Sequence, residues 1–334
     1  MRRVVTTMAL AVMTAGTLAA GQGRDAAQVL AEARAAMGGD KLLAVKSLTA
    51  SGRTIRSLAT GNTMENEFEM ALDLPDKYLM RSVMMAMGNM SVYRNSGFNG
   101  GQVIEEIDQP PNLSGGMVHI RIAGPGGAVT DPAKMTPEQK VELDRARLLS
   151  NKKEFARLAL GMFAAPPAAY PLEITYAGQA EAADGKADVL DVKGEGDFAA
   201  RLFIDAATHL PLMLSWQAKE PLVMQVGGSA GSFSAAGGGA NRVVVSGAPG
   251  GRAGMSPEER QKFEQDLEAR RKEAEAKLKF VEYRTYYAEY QEVNGVRLPH
   301  RIQRSIDGKP TEEMIFETFK VNPKIDPRKF QTSK

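Results

Sequence analysis

The stretch MENEFEMALDL, residues 64 to 74, decides the fold. Counted by twos, Met64, Phe68, Met70, Leu72 and Leu74 fall on one side, and Glu65, Glu67, Glu69 and Asp73 on the other. A period of two, apolar against acidic, predicts an antiparallel strand with one face on a core and one in water. Pro75-Asp76 predicts a turn, after which the chain returns as YLMRSVMMAMGNMSVYR, residues 78 to 94, with methionine at 80, 84, 85, 87 and 90.

Three readings of these methionines compete. Thioethers suit Cu(I), but strict alternation puts Met85 and Met87 on one face and Met80, Met84 and Met90 on the other, with no histidine or cysteine beside them. The plain reading is hydrophobic core. The third starts from the even positions, Met80 to Val92, which carry no charge, whereas Arg81 lies on the odd face. Flexible, polarizable side chains next to small ones make a wall that repacks around varied apolar shapes, and a lipid cavity is the expectation.

Outward from this pair the same grammar repeats. RDAAQVLAEARAAM, residues 24 to 37, predicts an amphipathic helix stopped by Gly38-Gly39. Thr136, Pro137 and Gln139 predict a capped start for a second helix running to Phe163, charged first and apolar in FARLALGMFAA. Strands resume at Leu172, with Asp184-Gly185 as a hairpin signal, then FAARLFID and LPLMLSW. The end is a meander, VEYRTYYAEYQEV, VRLPHRIQRSI and TEEMIFETFKV, joined at Asn294-Gly295 and Asp307-Gly308. Between LPLMLSW and this meander, residues 226 to 254 are rich in glycine, alanine and serine and read as a disordered linker. Ser256-Pro257-Glu258-Glu259 then caps a highly charged helix to about Leu278. The expected architecture is α+β, mainly β: one curved antiparallel sheet forming an unclosed half-barrel, with helices over its concave face.

Composition bounds the function. The 334 residues include no cysteine, so no disulfide staples the fold and no lipid anchor of the lipoprotein kind follows the N-terminal segment. That segment, residues 1 to 21, has Arg2 and Arg3, an apolar run to Leu18 and small residues at 19 to 21, which predicts a signal peptide and export to the periplasm. Without its two arginines the chain carries 40 basic against 40 acidic residues, no footprint for nucleic acid. No apolar run is long enough to span a membrane.

Catalytic and metal patterns fail one by one. Gly227-Gly228-Ser229-Ala230-Gly231 fits a nucleophile elbow, but SFSAAGGGAN directly after it is too glycine-rich for the helix an elbow needs. Gly194-Glu195-Gly196-Asp197-Phe198-Ala199 resembles a dinucleotide loop, yet a strand comes next. The histidines, at 119, 209 and 300, have no ligand spacing, and His300 falls on an apolar strand face as a hydrogen-bonded core residue. We expect no enzyme, no metal and no cofactor.

Several segments together resemble the periplasmic lipoprotein-carrier superfamily of LolA- and LppX-like outer-membrane lipoprotein-sorting proteins. They are AAQVLAEARAAMGG, SLTASGRT, DLPDKYLMR, SGFNGG, FIDAATHLPLMLSW, YQEVNGVRLPHRI and FKVNPKIDPRKF. They cover most of the chain after residue 21, each loosely. The resemblance implies one half-barrel domain, 22 to 334, interrupted by an insertion at 219 to 280, and a hydrophobic hollow that receives acyl chains. Its wall is expected to include Phe68, Met70, Leu72, Met80, Met84, Met90, Leu202, Ile204, Leu214, Trp216, Leu298 and Ile302. The expected function is a monomeric carrier of lipid or lipoprotein acyl chains, loaded and unloaded by envelope proteins. The alternative is an envelope sensor or scaffold with a packed core and a protein partner.

Overall fold

The computed structural model describes residues 24–57, 61–87, 90–108, 135–182, 185–220 and 256–332; for 84–87, 90, 257, 260, 263, 264, 267, 268 and 271 it describes the backbone alone. Outside the described residues lie the signal segment, the Ser229 motif, the glycine-rich linker, His119 and the Asp184 hairpin position.

Five strands come first: β1 (Ser47–Ser57), β2 (Thr63–Asp73), β3 (Lys77–Met87), β4 (Met90–Asn99) and β5 (Gln102–Asp108). Seven follow: β6 (Leu172–Ala182), β7 (Gly185–Gly194), β8 (Phe198–Asp205), β9 (Pro211–Lys219), β10 (Phe280–Val293), β11 (Val296–Ile306) and β12 (Lys309–Val321). All twelve form one antiparallel sheet in the order β5-β4-β3-β2-β1-β12-β11-β10-β9-β8-β7-β6. Two meanders meet in the middle, where Leu48 of β1 stands opposite Val321 of β12. The edges, β5 and β6, do not pair with each other, so the sheet is curved but not closed.

That order dictates the place of the main helix. β5 and β6 are consecutive in the chain yet lie at opposite edges, so the connection must cross the open side of the sheet. α3 (Pro137–Phe163) makes the crossing. Its 27 residues span about 40 Å at 1.5 Å per residue. It starts as its sequence predicts: the Thr136 side chain accepts from the Gln139 backbone N–H, and Gln139 returns a contact to the Thr136 N–H. Its second half buries Phe155, Leu158, Leu160, Met162 and Phe163 against the concave face. Gly161 permits the closest approach, because a Cβ there would collide with the Tyr287 ring. α1 (Ala26–Ala36), capped by Asp25, and the single turn α2 (Asp40–Leu43) add Val29, Leu30, Ala33 and Leu42 to the same buried cluster. Gly38 and Gly39, both at positive φ, make the turn between them.

The opening stretch behaves as its period predicts. Phe68, Met70 and Leu72 are buried on the concave face, opposite Ser82, Met80 and Tyr78 of β3. Glu65, Glu67 and Glu69 face the other way. One position escapes the alternation: Ala71 is buried on the convex side with Leu79 and Ile104, under Phe330 of the short 3-10 turn Pro327–Phe330. The insertion separates β9 from β10 and contributes α4 (Pro257–Lys277), capped by Ser256 and Glu259 as expected. β9 and β10 nevertheless pair directly, Lys219 opposite Phe280.

Candidate functional site

The concave wall brings most of the expected apolar residues together. Phe68, Met70, Leu72, Leu202, Ile204, Leu214, Trp216, Leu298 and Ile302 all belong to one buried cluster, with Met80 packed against it. They sit at alternate positions of β2, β3, β8, β9 and β11. The helices share this cluster. Phe155 of α3 stacks on Tyr78 at 5.3 Å between centroids and meets Phe98 at 5.6 Å, and Val29, Leu30 and Ala33 of α1 join it. Tyrosines fasten the helix backbone: Tyr287 donates to the Arg157 carbonyl at 2.8 Å and Tyr290 to the Gly161 carbonyl at 3.1 Å.

Met84 stands where the period of two is interrupted. The β3–β4 register shifts between Val83 and Met85, so that Met85 pairs with Val92 and Met87 with Met90. An extra residue in one strand breaks the period of two. The alternation along β3 that placed Met84 with Met80 stops at this extra residue, and the side chains of Met84 and Met90 lie outside the described residues. Arg81 does face away, its guanidinium 4.0 Å from the Tyr93 ring centroid and 3.3 Å from Asp108.

The sequence reading missed a charged seam on this same concave wall. In-facing positions near the strand ends at one rim carry Arg56 (β1), Glu312 (β12) and Arg304 (β11), cross-strand partners in that order. Arg56 reaches Glu312 at 2.6 Å and Arg304 reaches it at 3.4 Å. From α3, Glu154 accepts from Arg304 at 3.2 Å and from Arg157 at 3.1 Å. Arg157 in turn lies 4.4 Å from the Trp216 ring centroid and 5.2 Å from that of Phe198. Nearby, Arg94 of β4 pairs with Glu105 of β5 at 2.6 Å. Burial is the largest influence on Arg157 and holds its pKa below the ordinary value, against the pull of Glu154. Burial works against Arg304 too, but there Glu154 and Glu312 outweigh it and raise the pKa. Tyr78, buried in the field of this cluster, has its phenol pushed well up, chiefly by desolvation.

A signal for this seam was present. Arg304 has the parity of Leu298 and Ile302, Glu312 that of Met314, and Arg157 interrupts FARLALGMF. A charge at an in-facing position requires a partner.

A second buried carboxylate, Asp188 of β7, is fully enclosed at the opposite rim. It accepts from Tyr176 and Gln179 at 3.1 Å each, with Arg24 at 2.9 Å. Arg24 also pairs with Glu32, so this contact ties α1 to the sheet. His300 contacts the Leu298 carbonyl at 3.1 Å and the Phe319 ring, as a core histidine should. No group of three or more His, Cys, Asp or Glu side chains converges as a metal site among the described residues. The Gly194–Ala199 turn runs directly into β8, so no helix N-terminus stands there for a pyrophosphate. No described helix is long and apolar enough to cross a membrane.

No family profile matches the chain, and no curated protein matches it by sequence. Three solved structures are similar over nearly its whole length. A DUF1329 family protein from Desulfovibrio piger shares 6% identity, covering 92% of this chain and 98% of that one, with a TM-score of 0.46. A putative outer membrane lipoprotein-sorting protein domain from Vibrio parahaemolyticus shares 8%, covering 90% and 94%, at 0.41. A LolA superfamily protein from Nitrosomonas europaea shares 8%, covering 92% and 98%, at 0.41.

Proposed function

We propose that the chain is an exported carrier or binding protein that holds a hydrophobic ligand, lipid or lipoprotein acyl chains, between the concave wall and its helices. The observation behind this reading is the wall itself: an apolar surface running from β2 across to β8, in a sheet whose edges stay apart and whose concave side is covered mainly by one crossing helix. Such a helix is a separable cover, held by aromatic packing and a few hydrogen bonds rather than by a sheet ladder. Binding and release need no chemistry, so the reading is of a carrier and not a catalyst, acting in the periplasm as a monomer with envelope proteins as loading and delivery partners.

Residues 22–334 purified from an envelope fraction and examined by native mass spectrometry should carry lipid-sized adducts that solvent extraction removes. A protein that never carries such an adduct, and that binds no fluorescent fatty-acid probe after extraction, sinks the carrier reading. The depth to which α3 fills the wall, with the Gly161 backbone against Tyr287, favours in that event a packed envelope module that binds protein.

A further inference from the structure

We propose that the charged seam formed by Arg56, Arg157 and Arg304 seats the anionic head of the bound ligand, a carboxylate or phosphate oxyanion carried by an amphiphile. The inference rests on the carrier reading and narrows its substrate class. Three guanidiniums meet there with two carboxylates, and both carboxylates are already shared, Glu154 between Arg157 and Arg304, Glu312 between Arg56 and Arg304. The neighbouring Arg94–Glu105 pair is balanced and offers no further anion. Among the described residues the group therefore keeps one positive charge in excess. The Nε atoms of both Arg157 and Arg304 are buried with no hydrogen-bond partner among the described residues. Arg147, one heptad before Glu154 on α3, repeats the pattern: among the described residues its Nε is buried without a partner and its one carboxylate, Asp144, is 3.9 Å away.

An uncompensated cation in a part-buried wall is costly, and an unfilled guanidinium donor adds to that cost. An oxyanion removes both, since the guanidinium fork matches carboxylate and phosphate geometry. The place also suits a head group. The seam lies within three residues of the strand ends at one rim, and Arg56 and Arg304 keep 19% and 20% of their side-chain surface open, enough for a small polar group to reach them. Trp216 and Tyr283, stacked at 5.4 Å, adjoin it through Arg157 and supply apolar surface for the tail. Charge on the head and grease on the wall define an anionic amphiphile.

The test compares cis-parinaric acid with its methyl ester on delipidated protein, with lysophosphatidate and monoacylglycerol as competitors. The acid should bind about tenfold more tightly than the ester, the worth of one charge-assisted contact. Arg157→Gln and Arg304→Gln should each bring the acid down to the ester while leaving the ester unchanged, and Arg157→Lys should restore part of the preference. Stronger displacement by lysophosphatidate than by monoacylglycerol, with the acid and ester alike, identifies a phosphate as the head; the acid preference without it identifies a carboxylate. Acid and ester bound equally, with neither competitor favoured, overturns the head-group seat and leaves the carrier standing. Neither probe bound overturns the carrier itself. Should Arg304→Gln unfold, Arg157→Gln carries the test alone, and an acid preference that survives in it also overturns the proposal.

Discussion

Gly161 shows how much one hydrogen atom can decide. The α3 backbone lies so near the Tyr287 ring that any Cβ at this position overlaps it. Gly161→Ala gains helix propensity but must push the helix or the ring aside, a net loss expected at about 1–3 kcal/mol in chemical denaturation. A stability equal to or above the parent would mean that the helix shifts freely on the wall. Met80 and Arg81 supply a paired test of facing. Met80 stands opposite Met70 on the concave side, whereas Arg81 pairs outward with Asp108 and Tyr93. Met80→Glu places a carboxylate against the apolar cluster and should abolish binding of a fatty-acid probe or lower the melting temperature. Arg81→Glu should leave probe binding intact. Equal effects of the two would show that this wall is not the binding surface.

Among the elements, the insertion makes the cleanest separation between what the sheet needs and what it carries. β9 and β10 pair without its help, from Lys219 and Phe280 onward. Replacing residues 221–278 with a short turn should therefore leave the thermal transition within a few degrees of the parent, because loop length alters closure entropy only slowly. A collapse of the transition would mean that α4 packs as structure. Elements of this kind were legible in the sequence because their signals are local. Thr136 with Gln139, Ser256 with Glu259, and the Asn294-Gly295 and Asp307-Gly308 turns each announce a boundary by chemistry within four residues. The period of two in 64 to 74 likewise fixed which side of β2 faces inward. What stayed hidden is relational. The register shift after Val83 depends on β4, the burial of Ala71 depends on a C-terminal turn far away in the chain, and the Arg304–Glu312–Arg56 seam exists only once three strands are aligned. Among the described side chains, the residues expected on the wall belong to one cluster or, for Met80, pack against it. Its charged rim was not foreseen, since parity was applied to apolar residues and not to the charges among them.

For the molecule as a whole, buried phenols set an alkaline limit. Burial pushes Tyr170 and Tyr283 up to about 12, and Tyr78, Tyr287 and Tyr290 also upward. In each case folding favours the neutral ring. That contribution is complete below the ordinary value near 10 and drains away as pH climbs through the raised values. Stability measured by denaturant should accordingly fall steadily above pH 10, with phenolate absorbance appearing late and together with unfolding. Phenolate that appears at the ordinary pH without unfolding would contradict it. The meeting of β1 with β12 has a consequence in time. Each meander is built from neighbours in sequence and can form as soon as its residues exist, but β12 alone joins β1 to β11, and it comes after every other described strand in the chain. A nascent chain thus holds two half-sheets with open seams until β12 is free to pair. Refolding should show a fast phase for the halves and a slower joining phase, the latter absent from a chain ending at Asp307. One strand thus sets the moment at which the two halves become a single sheet: β12 acts as a timer.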